Sequence, residues 1–159
     1  MIQILHLTSE DIPEKAQVHS QTWQETYRGL LPDELNDTIT PSFAEQVTRQ
    51  MTELKTLVAK VDGSIVGYLS WMDQCREHFT PSDAAEICNF YVLRAFQGRG
   101  IGRALLEAAL KEIGSGDVVL SAFCDNRPAI AFYEHMGFRR TGALFDDDAM
   151  KEVELILRR

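Results

Sequence analysis

Gln97-Gly98-Arg99-Gly100-Ile101-Gly102-Arg103 sets three glycines at alternate positions between a strand-like run and a helix-like run. Glycine allows backbone conformations closed to other residues and lets a ligand approach the chain closely. The first-turn N–H groups of a helix have no partner inside the helix, and the positive end of its dipole lies there too. Together these features suit a phosphate or pyrophosphate. A tight turn that only lets strand and helix pack would use the same glycines, and the glycines alone leave both uses open. Spacing disfavours two ligands. No Gly-Lys followed by Ser or Thr occurs, as a nucleoside triphosphate loop requires. The sixth position counted from Gly98 is Arg103, where a dinucleotide fingerprint needs glycine.

Other chemistry-bearing side chains stand singly. Tyr133 reads as a helix tyrosine beside Phe132 and Phe138, and Asn126 before Arg127-Pro128 suits a helix N-cap. Cys124 has no histidine near it in sequence, and a buried cysteine is usually a small hydrophobe, so a nucleophilic role for it is disfavoured. Cys75, Cys88 and Cys124 are odd in number and contain no CxxC, which suggests neither a disulfide framework nor a zinc site. A reduced, cytoplasmic compartment is the expectation. Trp23 and Tyr27 are four apart and share a helix face. With Glu25, Asp33, Glu34 and Asp37 they suit a cationic amine through aromatic and carboxylate contacts. An amphipathic helix burying its aromatics is the other reading.

These residues need elements to hold them. Ile2–Leu7 alternates as a first strand, Thr8-Ser-Glu-Asp offers caps, and a helix runs to about Tyr27, closed by Arg28-Gly29. Pro32-Asp-Glu-Leu predicts a helical turn and Pro41–Met51 another helix. Two β-rich runs flank Asp62-Gly63, the strongest hairpin signal in the chain. Ala85–Leu93 reads as a buried strand, and about 100–113 as a helix with Ile101, Leu105, Leu106, Ala109, Leu110 and Ile113 at helical spacing. A strand at 118–124, a helix at about 128–136 and strands near 138–143 and 151–157 complete the order. In the last strand Glu152 and Glu154 alternate with Val153, Leu155 and Leu157, which predicts one solvated face. Asp146-Asp147-Asp148 reads as a solvated loop before it. No linker, repeat or low-complexity segment interrupts residues 1–159, so one α+β domain is expected.

Composition sets the outer bounds. The chain has 159 residues, 45% hydrophobic and 25% charged, which fits a compact globule and not a disordered or collagen-like chain. Its net charge of −8 disfavours nucleic acid as main partner, since phosphate neutralisation needs the opposite sign. Residues 1–80 hold six basic and twelve acidic side chains, and residues 81–159 ten and twelve. The first half therefore favours a cation, and the second, with Arg94, Arg99 and Arg103, tolerates an anion. No apolar run reaches the roughly 18 residues of a membrane span, and the start lacks the basic and apolar regions of a signal peptide.

Gln97-Gly98-Arg99-Gly100-Ile101-Gly102 after the strand Phe90-Tyr91-Val92 resembles the Gln/Arg-x-x-Gly-x-Gly/Ala signature of the GNAT superfamily of acyl-CoA-dependent N-acetyltransferases. A second block, Asn126-Arg-Pro-Ala-Ile-Ala-Phe-Tyr-Glu-His-Met-Gly-Phe, is similar too, and the order of elements agrees along nearly the whole chain. The resemblance implies a GNAT fold, a central mixed, mostly antiparallel twisted sheet with helices on both faces. It implies acetyl-CoA as donor, no metal, an amine acceptor and a homodimer of the kind relatives often form. By position, Phe90, Tyr91 and Val92 would pair with pantetheine, and the N–H groups of Gly98–Arg103 would hold the pyrophosphate, with Arg99 and Arg103 adding charge. Asn126 would contact the cofactor, and Tyr133 would protonate the departing thiolate. Glu86 would serve as general base, directly or through water, with Asp125 behind it. The strand stretch Ser121-Ala-Phe-Cys, which supplies that base in some relatives, offers no carboxylate. Trp23 and Tyr27 would line the acceptor wall. The acceptor expected is a small-molecule primary amine, with a protein N-terminus or a non-catalytic acyl-CoA sensor as alternatives.

Overall fold

The computed structural model describes residues 1–147 and 150–159. Seven strands form one mixed sheet in the order β1-β2-β3-β4-β5-β7-β6. They are β1 (Ile2–His6), β2 (Lys55–Val61), β3 (Ser64–Met72), β4 (Ala85–Val92), β5 (Val118–Phe123), β6 (Arg139–Asp147) and β7 (Met150–Leu157). The helices are α1 (Ile12–Tyr27), α2 (Asp33–Asn36), α3 (Pro41–Gln50), α4 (Ile101–Ile113) and α5 (Arg127–His135). Among the described residues, no helix is long and apolar enough to cross a membrane.

The chain divides into two compact units. Met1–Trp71 with Asn89–Glu112 forms the first, and Met72–Cys88 with Ile113–Arg159 the second. In the first, β1, β2 and β3 pair antiparallel. Asp62 and Gly63 join β2 to β3 with φ of 51° and 83°, both positive as the tight hairpin turn demands. Val18, Val58, Ile65 and Tyr68 pack as a buried cluster with Leu7, Tyr91 and Leu93 against it. In α4, Ile101, Leu105, Leu106 and Ala109 of the stripe expected from helical spacing are buried, and Leu110 and Ile113 half-buried.

Beside that core lies a group of buried polar side chains. Lys15 is buried, its Nζ donating to Thr48 Oγ1 at 2.7 Å and lying 4.4 Å from the Tyr68 ring centroid. Burial pulls its pKa down to about 8. His19 is pushed down to about 4, first by burial and then by the charge of Lys15. Its Nδ1 has no hydrogen-bond partner among the described residues. An unfolded His19 takes a proton near pH 6.5, while the folded one stays neutral to about pH 4. Below about pH 6.5 the unfolded state binds the extra proton, so stability falls as pH drops, by about 3 kcal/mol when pH 4 is reached. Denaturant unfolding at pH 7 and pH 4 should show this loss, and His19→Phe should shrink it. An equal loss in both proteins excludes His19 as its source.

In the second unit β5 and β7 pair antiparallel, as do β7 and β6, while Ala85↔Val118 and Glu86↔Val119 pair β4 to β5 in parallel. Cys75, Phe79, Ala84, Val119 and Ile156 form its buried cluster, with Phe145 against it. Two sequence expectations are corrected here. Glu154 is not on a solvated face. It is fully buried and accepts from the Thr80 N–H at 2.7 Å, the Thr80 hydroxyl, and the Thr141 hydroxyl at 2.5 Å. Those bonds satisfy a charge that burial would otherwise penalise, and its pKa lies below the usual carboxylate value although burial itself pushes the other way. Asp146 belongs to β6, opposite Lys151, where the opposite charges favour pairing over a loop. Asp148 lies outside the described residues.

Candidate active site

The first unit carries the glycine turn. β4 ends at Val92, a 3-10 turn covers Arg94–Phe96, and α4 begins at Ile101. Leu93 N–H donates to Val66 O at 2.8 Å, and the Gln97 side chain folds back onto Val92 O at 3.0 Å, so Gln97 braces the turn. Gly98 and Gly100 have φ of +77° and +81°, with nothing within 4 Å of where a Cβ would stand. Backbone conformation demands these glycines, and the space before them is open. The first intrahelical bond runs from Ala104 N–H to Gly100 O at 3.0 Å. The amides of Ile101, Gly102 and Arg103 thus form the first turn that an anion can use. Arg99 lies over the Phe96 ring at 5.0 Å, and Arg103 pairs with Glu107 at 2.8 Å along the helix.

β4 brings Phe90, Tyr91 and Val92 up to that turn, all half-buried. The Tyr91 ring lies 5.9 Å from His19 and 5.7 Å from Tyr68. A Cβ on Gly67 of β3 would stand 2.8 Å from Tyr91 O, so glycine at 67 permits the close approach of the two strands.

At the C-terminal end of α1, Trp23 and Tyr27 rings are 4.4 Å apart. The Trp23 indole donates to Asn36 Oδ1 at 3.0 Å, and Tyr27 is buried. Three of the four acidic residues near them are engaged: Arg28 pairs with Asp33 and Asp37, and Glu25 accepts from Arg94 N–H, while Glu34 is exposed. The pKa of Arg28 rises, chiefly through the Asp37 bond.

The second unit carries Glu86, Asn126 and Tyr133. Glu86 is 1% exposed. Its Oε1 accepts from Arg76 N–H and Nε at 3.1 Å, and its Oε2 from Arg76 Nε at 3.1 Å and Nη2 at 2.5 Å. Glu86 in turn lifts the Arg76 pKa above its usual value, with Glu152 adding to the field. Asn126 stands at the N-cap position of α5, but its side chain makes no cap hydrogen bond, contrary to the capping expected of it. Tyr133 is buried, its ring 5.7 Å from both Phe132 and Phe138 in edge-on contacts. Asp125 is exposed, and Cys124 Sγ lies 3.8 Å from its Oδ1.

Two residues escaped the sequence analysis. Arg76 sits in the β3–β4 connection, where nothing periodic marks it as the partner of Glu86. Glu152 of β7 accepts from Ser121 Oγ at 3.0 Å, bringing a carboxylate to the strand that has none of its own. Its alternation pattern pointed to solvent.

The family model described as Acetyltransferase (GNAT) family matches residues 17–138. The N-alpha-acetyltransferase RimI of Mycobacterium tuberculosis is 39% identical over 84 residues, 53% of this chain and 51% of the relative. Over such curated relatives the matched stretch spans 23% to 60% of their own length. A crystal structure from Pyrococcus horikoshii OT3 superposes with a TM-score of 0.79 at 25% identity, covering 100% of this chain and 99% of that one. PaiA N-acetyltransferase from Thermoplasma acidophilum, solved in complex with coenzyme A, gives a TM-score of 0.78 at 19% identity, with 100% and 99% covered. The family model extends over more than half of the sequence and takes in the glycine turn, Glu86 and Tyr133, and on that match the chain belongs to the Acetyltransferase (GNAT) family.

Proposed function

We propose that residues 1–159 act as one N-acetyltransferase domain, moving an acetyl group from acetyl-CoA to a primary amine, with a small-molecule amine as acceptor. The glycine turn carries this reading: two glycines at positive φ with open space before them, and three first-turn amides behind. The amides of Gly98–Arg103 hold the pyrophosphate, Arg99 and Arg103 add charge, Gln97 braces the turn and Ile101 seats it in the core. Phe90, Tyr91 and Val92 offer backbone to pantetheine, and Asn126, with its side chain not used as a cap, contacts the cofactor. Trp23 and Tyr27 contribute to the acceptor wall. The net −6 of residues 1–80 supports a cationic acceptor. Three free cysteines fit a reducing, cytoplasmic setting, and a homodimer is the assembly implied by the family.

An amine with a Lys-like pKa of about 10 is mostly protonated at neutral pH and must lose a proton before attack. Glu86 takes it. Three Arg76 donors occupy most of the roughly four acceptor positions of that carboxylate, so the proton arrives through one water. The amine then attacks the thioester carbonyl, the C–N bond forms, and the C–S bond breaks. Tyr133 protonates the leaving thiolate, and the second proton that the nitrogen sheds on becoming an amide restores the tyrosine hydroxyl. A thiol of pKa about 8.5 is the stronger acid than a tyrosine of about 10, so the transfer runs uphill by roughly 2 kcal/mol, and the hydroxyl acts partly as a hydrogen-bond donor to the developing anion.

A second reading, acetylation of a protein N-terminus, is favoured by the name of the Mycobacterium tuberculosis relative. Thiol release from acetyl-CoA, followed across panels of small amines and of peptides, separates the two. Release that rises with no amine or peptide leaves an acyl-CoA sensor. With the best acceptor, Tyr133→Phe should lower kcat and kcat/KM together by about 100-fold, because the lost interaction exists near the transition state. Turnover within about threefold of wild type, with chemistry rate-limiting, sinks the catalytic role of Tyr133.

A further inference from the structure

Two element ends in the first unit cap each other. The 3-10 turn Arg94–Phe96 begins after Leu93, a residue with no side-chain oxygen to accept its first N–H. Glu25, near the end of α1, supplies that acceptor: Arg94 N–H donates to Glu25 Oε1 at 3.0 Å. The last turn of α1 carries no basic residue of its own, although cations are favoured at a helix C-terminus. Arg94 adds a second cation there beside the C-cap residue Arg28, its guanidinium donating to Glu25 O. One residue pair, 69 positions apart in sequence, thus satisfies two element ends at once.

The segment between this 3-10 turn and α4 is short and pliant. Only Gln97 to Gly100 separate Phe96 from α4, and two of those residues are glycines at positive φ, so the segment has little stiffness of its own. Phe96 N–H and Gln97 N–H bond back to Leu93 O and Arg94 O at 2.8 and 3.2 Å. The start of the glycine turn is therefore positioned by whatever holds Arg94, together with the Gln97 side chain on Val92 O and Leu93 N–H on Val66 O. We propose that Glu25 is a positioning residue for acetyl-CoA, holding the glycine turn in its anion-receiving form by reciprocal capping with Arg94. This deepens the reading that Gln97–Arg103 receives the cofactor and rests on it. When only a fraction of molecules holds the competent turn, the apparent dissociation constant rises by the inverse of that fraction.

The test is calorimetric titration of the full chain with CoA, with melting temperatures measured in parallel. Glu25→Ala should weaken CoA binding about tenfold, the size of one lost cap. Glu25→Gln keeps an oxygen for Arg94 N–H and should stay within about twofold of wild type. Arg94→Met removes the other half of the cap and should weaken binding about threefold, which carries the test should Glu25→Ala not fold. In turnover, Glu25→Ala should raise KM for acetyl-CoA and leave kcat within about twofold, a split that general destabilisation does not produce. A folded Glu25→Ala that binds CoA like wild type overturns the proposal, as does Glu25→Gln as weak as Glu25→Ala. Wild-type protein that binds no CoA removes the underlying reading instead.

Discussion

A Gly100→Glu variant should remain folded and lose at least about 100-fold in CoA affinity, the sum of a removed anion site and a new like charge. The geometry separates the two demands on this position. No atom lies within 4 Å of the place a Cβ would occupy, so the substitution creates no clash. The cost to the fold is that of a left-handed backbone at φ +81° for a residue with a side chain, about 1–2 kcal/mol. The cost to binding is larger, because the carboxylate extends into the space where a pyrophosphate would meet bare amides. Gly100→Asn is the control, since asparagine tolerates the left-handed region and adds no charge. It should bind CoA more tightly than the Glu variant at similar stability. Titration calorimetry and thermal melting on both variants measure this, and a folded Glu variant with unchanged CoA affinity places the cofactor elsewhere.

Glu86→Gln should lower turnover by about 10²–10⁴-fold at neutral pH, the range of a lost general base. The loss should shrink as pH rises toward the pKa of the amine, when more acceptor arrives already deprotonated. CoA affinity should stay unchanged. Glutamine preserves the shape and one oxygen for Arg76, so a melting curve distinguishes loss of chemistry from loss of fold. Wild-type turnover across the pH range would exclude Glu86 as the base, and Glu152 beside Ser121 becomes the carboxylate to replace next.

Glu86 and Glu154, both buried, mark the limit of what a sequence can reveal. Local rules worked where the cause was local. Asp62-Gly63 forms the tight hairpin because two adjacent residues accept positive φ, and the buried stripe of α4 follows its own 3.6-residue period. Ile130 and Tyr133 lie buried on one face of α5 for the same reason. Glu154 failed because its burial is decided by Thr80, 74 residues away, and by Thr141 across the β6–β7 pair. Alternation along a strand records which side chains prefer water. It contains nothing about donors that a distant loop will deliver. Arg76 and Glu25 were illegible in the same way: the residue type was visible, but the partner was set by tertiary pairing. For the candidate site, the turn was therefore readable from its glycines, while the bonds that orient Glu86 were not.

The connection from Asp73 to Ala84 has its attachment points outside its own display surface. Thr80 is tied to Glu154 on β7, Arg76 to Glu86 on β4, and Cys75 N–H to Ala84 O at 2.8 Å. Phe79 is buried beneath it, while Glu77, Ser82 and Asp83 face solvent. Exchanges at such exposed positions typically shift stability by no more than about 0.5 kcal/mol. The loop is in this sense an interchangeable faceplate on a bolted mount. Its outward chemistry can be rewritten, by mutation or in a designed library, without renegotiating the backbone that carries it.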